Sequence, residues 1–381
     1  MAEAAAAIPY AGRTVIALAP EHFAANRRTV ALLFRLAHTP AWAREVDRDA
    51  GEVERREPGN TGVFMGYDFH LTAAGPRLIE VNTNAGGALL NGLHTASLCD
   101  PKQLACLCAD LLPVEAIQER SARTFAAELR AARGPGAALR SVAIADENPR
   151  AQFLYPEFEL CAALLRAKGI AVEIRDTEEL DPRAFDLVYL RDTDFALAAP
   201  RSAALRAAYL AGDAVLTPSP REHHLLANKR RLGLFSSQTA LARLGVAAAD
   251  AEFLAGTVPE TVALAELGGA RAWDERRDWV FKPCSAFGSR AVYRGDKLTR
   301  RKLDQILADP SYVAQRRIEP SQLQVDTLEG PRAMKFDVRA YAYRDEVILL
   351  GARVYQGQVT NLRSPGGGFS AICVARERSA C

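Results

Sequence analysis

Apolar side chains recur at helical spacing over residues 26–38, where Val30, Leu33, Phe34 and Leu36 share one side. The period changes to two over residues 335–343, KFDVRAYAY. This predicts a strand with Phe336, Val338, Ala340 and Ala342 on one face and Lys335, Asp337, Arg339, Tyr341 and Tyr343 on the other. Three ionisable groups on one strand face are costly in a core unless a site uses them; otherwise the face is exposed. Residues 347–354 read as the hairpin partner, through a turn at 344–346. Shorter apolar runs predict strands at 15–18, 63–69, 77–81, 141–145, 170–174, 186–190, 279–282, 290–293 and 312–320. The second and third of these are joined by a turn at 72–75. Helices are expected at 101–112, 115–132, 158–168 and 299–307, with a further helix carrying residues 228–231. Gly134-Pro135-Gly136 and Gly169 end two of them.

The strand–helix–strand rhythm of residues 141–190 predicts a small parallel sheet with helices on its faces. Ligands bind beyond the carboxyl ends of such strands. Asp146, Arg191 and Asp192 lie there, and residues 155–159, opening the helix, help frame a pocket. Arg191 is a fork for a substrate carboxylate or a solvated arginine at a strand end.

The strand at 77–81 runs into Glu80-Val81-Asn82-Thr83-Asn84 and then Gly86-Gly87. Glu80 and Asn82 are two apart, so both point to one face. A carboxylate and an amide oxygen side by side suit Mg²⁺ bound with phosphates; a polar edge strand gives the same pattern. Asp68, on the preceding segment, can face the same place. WVFKPCSAFGS, residues 279–289, is a short strand ending at Lys282 and then a small-residue loop. An ammonium at a strand end beside such a loop suits nucleotide phosphates, while a plain hairpin with a surface lysine is the alternative. Lys229, on another element, can converge on the same phosphates. The Gly366-Gly367-Gly368 run after Arg363 is a binding loop or an ordinary turn.

A length of 381 residues allows two or three domains. The net charge of +2, without a Lys/Arg stripe, gives no nucleic-acid footprint. Seven scattered cysteines form neither a zinc pattern nor a disulfide framework, and Cys284 is a small loop residue or a reactive thiol. No stretch approaches a membrane span and no signal-peptide pattern opens the chain, so the expected compartment is the cytoplasm. No Ser–His–Asp arrangement is evident; the adjacent His223 and His224 read as solvated residues at a helix start. No G-x-G-x-x-G follows a strand, which disfavours a dinucleotide-binding oxidoreductase.

In order, IEVNTNAGG, the segment ending VYLRD, LLANKRRLGLF, VFKPCSAFGS, YVAQRRIEP and the C-terminal arginine with its Gly-rich loop resemble a circularly permuted ATP-grasp protein of the eukaryotic-type glutathione synthetase kind. KFDVRAYAY is similar to the metal-bearing strand of unpermuted ATP-grasp ligases such as tubulin–tyrosine ligase. In those relatives the acidic-x-Asn strand follows the Asp-x-Arg strand; here Glu80-x-Asn82 comes first. The resemblance covers most of residues 60–375.

It implies an α/β (α+β) ATP-grasp fold, circularly permuted, with an inserted small parallel-sheet substrate domain. Residues 1–136 would carry the permuted metal strand, 137–215 the substrate domain and 216–381 the nucleotide-binding region with its lid loop. The implied activity is an ATP- and Mg²⁺-dependent carboxylate–amine ligase working through an acyl phosphate. Its implied substrates are an amino acid or short peptide as acid and amine, and its implied assembly is a homodimer. Lys229 and Lys282 would bind phosphates, with Lys282 and Arg339 acting in catalysis. Ser285, Gly288 and Ser289 would close over the nucleotide, and Gln315, Arg316, Ile318 and Glu319 would line its base and ribose. Glu80, Asn82 and Asp337 would hold Mg²⁺; Asp68, Arg191 and Arg363 would meet the substrate. Three departures stand out. Ala286 replaces a loop glutamate that binds metal in glutathione synthetase, with Asp337 as the substitute; Arg316 replaces a hinge glutamate, with Glu319 as the substitute; and the loop has one glycine, not three. The alternative is an ATP-binding sensor or scaffold without ligase activity.

Overall fold

The structure is a computed structural model that describes residues 10–98, 114–285, 291–327, 330–358, 360–362 and 365–375. The helix expected at 101–112, and the site candidates Gly288, Ser289 and Arg363, lie outside these residues.

Chain order builds three sheets. The first strands are β1 (Tyr10–Leu18), β2 (Met65–Thr72) and β3 (Gly75–Asn82). The expected turn joins β2 to β3, with Gly75 at φ +104 and Thr72 Oγ1 donating to the Gly75 carbonyl at 2.8 Å. The helix Pro20–Ala37 begins six residues before the expected start. A proline is well tolerated at such a start because a first-turn N–H has no partner in the helix.

Next come β4 (Ser141–Asp146), β5 (Ala171–Asp176), β6 (Leu187–Leu190) and β7 (Leu216–Thr217). They form the expected parallel sheet, in the order β5-β4-β6-β7. Alternation along β4 buries both faces. Val142 and Ile144 pack with Phe158, Cys161 and Leu165 of helix Tyr155–Arg166, while Ala143 and Ala145 pack with Leu205, Ala208 and Tyr209 of helix Ala203–Ala211.

Then β8 (Thr261–Ala263), β9 (Trp279–Pro283), β10 (Tyr293–Arg294) and β11 (Tyr312–Arg316) make an antiparallel sheet, ordered β10-β9-β11-β8. One face, with Trp279, Phe281, Tyr312 and Ala314, packs on Leu303 and Ile306 of helix Arg300–Leu307. The other face presents Val280, Lys282 and Gln315 to a cleft. The strand expected over 312–320 stops at Arg316, and residues 317–320 lead into a strand that the apolar pattern did not signal, β12 (Ser321–Thr327).

Finally β13 (Gly330–Tyr343), β14 (Glu346–Tyr355) and β15 (Gly368–Val374) return to the first sheet, ordered β1-β15-β14-β13-β2-β3 with β12 also on β13. Phe336, Val338, Ala340 and Ala342 enter the main core with Val30, Leu33 and Leu36, as the alternation requires. The N-terminal hairpin and the C-terminal strands are thus one sheet, joined by β13–β2 pairing. Among the described residues, no helix is long and apolar enough to cross a membrane.

Candidate active site

The polar face of β13 and its neighbours forms a ladder of charge. Register sets Asp337 opposite Arg353 of β14, Arg339 opposite Asp68 of β2, and Asp68 opposite Glu80 of β3. Side chains follow that register. Arg339 forks onto Asp68, with Nε at 2.6 Å from Oδ1 and Nη2 at 2.7 Å from Oδ2. Arg353 forks onto Asp337, with Nε at 2.7 Å from Oδ1 and Nη2 at 3.0 Å from Oδ2, and its Nη2 also donates to Asp68 Oδ2 at 2.8 Å. Asp68 and Asp337 are each only 2% exposed, so these pairs are buried and charge-assisted. Burial alone would raise the Asp68 carboxyl, but Arg339 and Arg353 outweigh it and hold it well below the usual carboxylate range.

Two lysines reach the same sheet from other elements. Lys282, at the end of β9, donates to Gln315 Oε1 at 2.6 Å and to the Ile79 carbonyl at 3.3 Å. Lys229 Nζ lies 3.7 Å from Glu80 Oε2. The sequence places Lys229 in a helix; it stands instead in the turn between helical segments His223–Ala227 and Arg231–Phe235. That turn is tied to the strand-end loop by the Lys229 backbone N–H, 3.0 Å from the Cys284 carbonyl. Burial, partly opposed by Glu80, pushes the Lys282 ammonium down to about 8. Burial pushes Glu80 up, yet Lys229, with lesser help from Lys282 and Arg353, leaves it below its ordinary value.

One cleft between the seven-stranded sheet and the β8–β11 sheet is lined by Asp68, Glu80, Lys229, Lys282, Gln315, Ile318, Glu319, Asp337 and Arg353. Residues named from six separated stretches of sequence therefore meet in one place. Others are turned elsewhere. The Arg316 side chain is engaged on the opposite face of β11, stacking on Trp279 at 4.0 Å and pairing with Glu260 and Glu275. Glu319 pairs with Arg317 at the rim. Ser285 is exposed just beyond β9. Arg339 does not line the cleft; its Nη1 reaches the Gly86 carbonyl at 3.4 Å.

Arg191 does not open onto this cleft either. Its Nη1 donates to the Asn84 carbonyl at 2.9 Å, and its guanidinium lies over the rings of Phe158 and Tyr189 at 5.5 and 5.3 Å. It supports, from beneath, the loop whose other side Arg339 touches. Close packing explains the glycines there: a Cβ on Gly86 would stand 2.2 Å from Leu154 Cδ1, and Gly87 sits at φ +94. At the same sheet end, burial raises Asp146 to about 6, and Asp192 is forked by Arg201 at 2.8 Å through both nitrogens.

The donor set for a divalent cation can be tested on this geometry. Glu80 and Asn82 share a face, with Asn82 Nδ2 at 3.2 Å from Glu80 Oε1. A turn of that amide would set two oxygen donors side by side, which with phosphate and water oxygens suits Mg²⁺. Asp337 does not fit as it stands: Arg353 covers both carboxylate oxygens, and Thr360 Oγ1 donates to Oδ2 at 2.8 Å. Among the described residues, no group of three or more His, Cys, Asp and Glu side chains is arranged to hold a metal. Reading the sequence missed Arg353 and Thr360. The hairpin opens with Tyr343 opposite Glu346, and a register shift between Tyr341 and Ala342 then sets Arg353, not Ala352, opposite Asp337.

No family model matches the sequence, and no curated protein matches it. Among solved structures, a glutathione synthetase-like effector from Globodera pallida superposes with a TM-score of 0.57 at 12% identity, covering 94% of this chain and 88% of that one. A candidate gamma-glutamylcysteine synthetase from Methylobacillus flagellatus reaches 0.44 at 12% identity over 91% and 85% of the two chains. D-cycloserine synthetase reaches 0.33 at 18% identity over 63% and 75%. Scores as low as these last two carry no argument. The first likeness spans nearly the whole chain and shows a fold shared with that glutathione synthetase-like effector.

Proposed function

We propose that the protein is an ATP-dependent ligase that joins a small-molecule carboxylate to an amine. The observation that carries this reading is the meeting of Lys229 and Lys282, from separate elements, on strand β3 at Glu80 and Ile79. Two ammonium groups beside an acidic-x-Asn strand form an anion seat with room for a cation. A nucleotide triphosphate has the charges that such a seat complements.

A substrate carboxylate oxygen attacks the γ-phosphorus; that P–O bond forms while the bond to the β-phosphate oxygen breaks, releasing ADP. The amine nitrogen then attacks the acyl carbon, phosphate leaves, and the nitrogen loses a proton to give an amide. Chemistry of this kind needs positioned charge more than a protein nucleophile. Lys229 and Lys282 offset phosphoryl charge, with Gln315 fixing the Lys282 ammonium. The residues after β9, Ser285 with Gly288 and Ser289, are proposed to cover the phosphates. The 315–319 stretch is proposed to meet the base and ribose through backbone groups and Glu319. A divalent cation, held by Glu80 and Asn82, would neutralise phosphate oxygens. Arg339 and Arg191, on opposite sides of the Asn84–Gly87 loop, set the wall where the acyl group would lie, and Arg363 is proposed to meet the substrate carboxylate. The early hairpin β2–β3 pairing with late strand β13 supports a permuted chain order, and the β4–β7 sheet supports a substrate domain over residues 137–215.

The test is phosphate release from ATP and Mg²⁺ across a pool of carboxylic acids, amino acids and short peptides, with mass spectrometry of the products. ADP formation that depends on an amine and yields an amide mass supports the ligase. Tight ATP binding with no turnover in any mixture replaces it with a nucleotide-binding sensor or scaffold.

A further inference from the structure

We infer that Arg353 is a built-in cation of the nucleotide cleft, occupying the place between Asp68 and Asp337 and leaving one divalent-cation seat, at Glu80 and Asn82. The inference rests on the nucleotide reading above and deepens it. Two buried carboxylates on neighbouring strands would repel unless a cation stood between them. A metal ion is one such cation; here a guanidinium fills that place, bonded to both through Nη2 at 2.8 Å and 3.0 Å and to Asp337 again through Nε at 2.7 Å. Strand register fixes it, since Arg353 is the direct partner of Asp337 across β13 and β14. Thr360 supplies a further donor to Asp337, so that carboxylate has no oxygen left uncommitted. Asp68 is likewise covered, by Arg339 on both oxygens and by Arg353.

Glu80 differs. Its oxygens meet an amide at 3.2 Å and a lysine at 3.7 Å, longer and weaker contacts that a metal ion can displace. Arg353 also lines the cleft, and its Nη1 takes no part in the bonds to Asp68 and Asp337. Nη1 is therefore placed to donate to a phosphate oxygen. Asp337 then acts as a positioning residue for Arg353 and not as a metal ligand.

The experiment counts Mn²⁺ by electron paramagnetic resonance on the full chain saturated with a non-hydrolysable ATP analogue. Wild type should bind one Mn²⁺ per nucleotide complex. Asp337→Asn should keep that count with an Mn²⁺ dissociation constant within about threefold, as a conservative change away from the ligands should. Glu80→Gln should weaken Mn²⁺ by about tenfold or more, the usual order for losing a contact in the ligand shell. Arg353→Met should gain a second Mn²⁺, since it removes the cation between the two aspartates and frees Asp337 Oδ1, whereas Arg353→Lys should stay at one. Should Arg353→Met fail to fold, the wild-type count and the Asp337→Asn constant still decide. Two ions in wild type, or loss of an ion in Asp337→Asn, overturns the assignment of Arg353 while nucleotide binding stands. An analogue that does not bind at any Mn²⁺ concentration overturns the nucleotide reading, and this inference with it.

Discussion

Arg191 and Arg353 are both largely buried arginines on strands or at their ends, yet their surroundings make them different devices. Arg191 is 6% exposed at the end of the parallel sheet, spread over two aromatic rings and bonded to a backbone carbonyl. Its charge is used to hold a glycine-rich loop in place. Arg353 lines the cleft between the other two sheets, bonded to two carboxylates and facing a space that a ligand can enter. The parallel sheet is covered by helices on both faces, so charge at its end is absorbed by neighbouring structure. The two sheets that border the cleft present polar side chains to it, and there charge is available to a third party. A strand-end arginine in sequence therefore says little until the covering of its sheet is known.

The largest effect expected to sharpen this contrast is at the ladder's centre. Asp68→Ala leaves Arg339 and Arg353 buried without their shared carboxylate, and should cost about 3–5 kcal/mol of stability in urea unfolding. A loss under about 1 kcal/mol would mean that the ladder is wet and that the two regions do not differ as described. Next is Lys282→Met. Losing a buried ammonium that faces phosphate should weaken ATP binding by about 30-fold or more in calorimetry, the lower end of the cost of truncating a buried charged contact. Unchanged affinity would move the phosphate seat elsewhere.

Arg191→Met should destabilise by about 1.5–3 kcal/mol, the scale for a lost hydrogen bond to a charged group, while ATP affinity stays within about twofold. A stable variant with weakened nucleotide binding would instead put Arg191 in the site and erase the contrast. The smallest effect is a pH trend. Burial brings Lys282 down to about 8 from 10.5, so the ammonium that receives phosphate is lost as pH rises through about 8. ATP affinity should then fall with pH, by up to about tenfold per unit above that point. Stability has the opposite sign. Between about 8 and 10.5 the unfolded chain holds this proton and the folded chain has released it, so the group makes stability rise with pH across that window. Lys282→Met should flatten both trends, and a trend that persists in the variant belongs to another group.

Much of this was legible in the chain. The alternation in 335–343 set the polar and apolar faces of β13, because a strand exposes every second residue to one side whatever it packs against. The β–α–β spacing gave the parallel sheet, and two-residue spacing gave the shared face of Glu80 and Asn82. Residues of the cleft were recognisable singly, by residue type and by the order of their motifs. What the chain did not disclose was which charge would answer which. Asp337 looked available to a metal, and only the pairing of β13 with β14 put Arg353 upon it. Arg191 and Arg316 looked ready for ligand, and only packing turned one under a loop and the other onto Trp279. Local pattern follows from short-range sterics and periodicity, which sequence carries completely. The partner of a buried charge depends on strands far apart in sequence being brought side by side, as Asp68 and Arg353 are, and that choice is made by the whole fold.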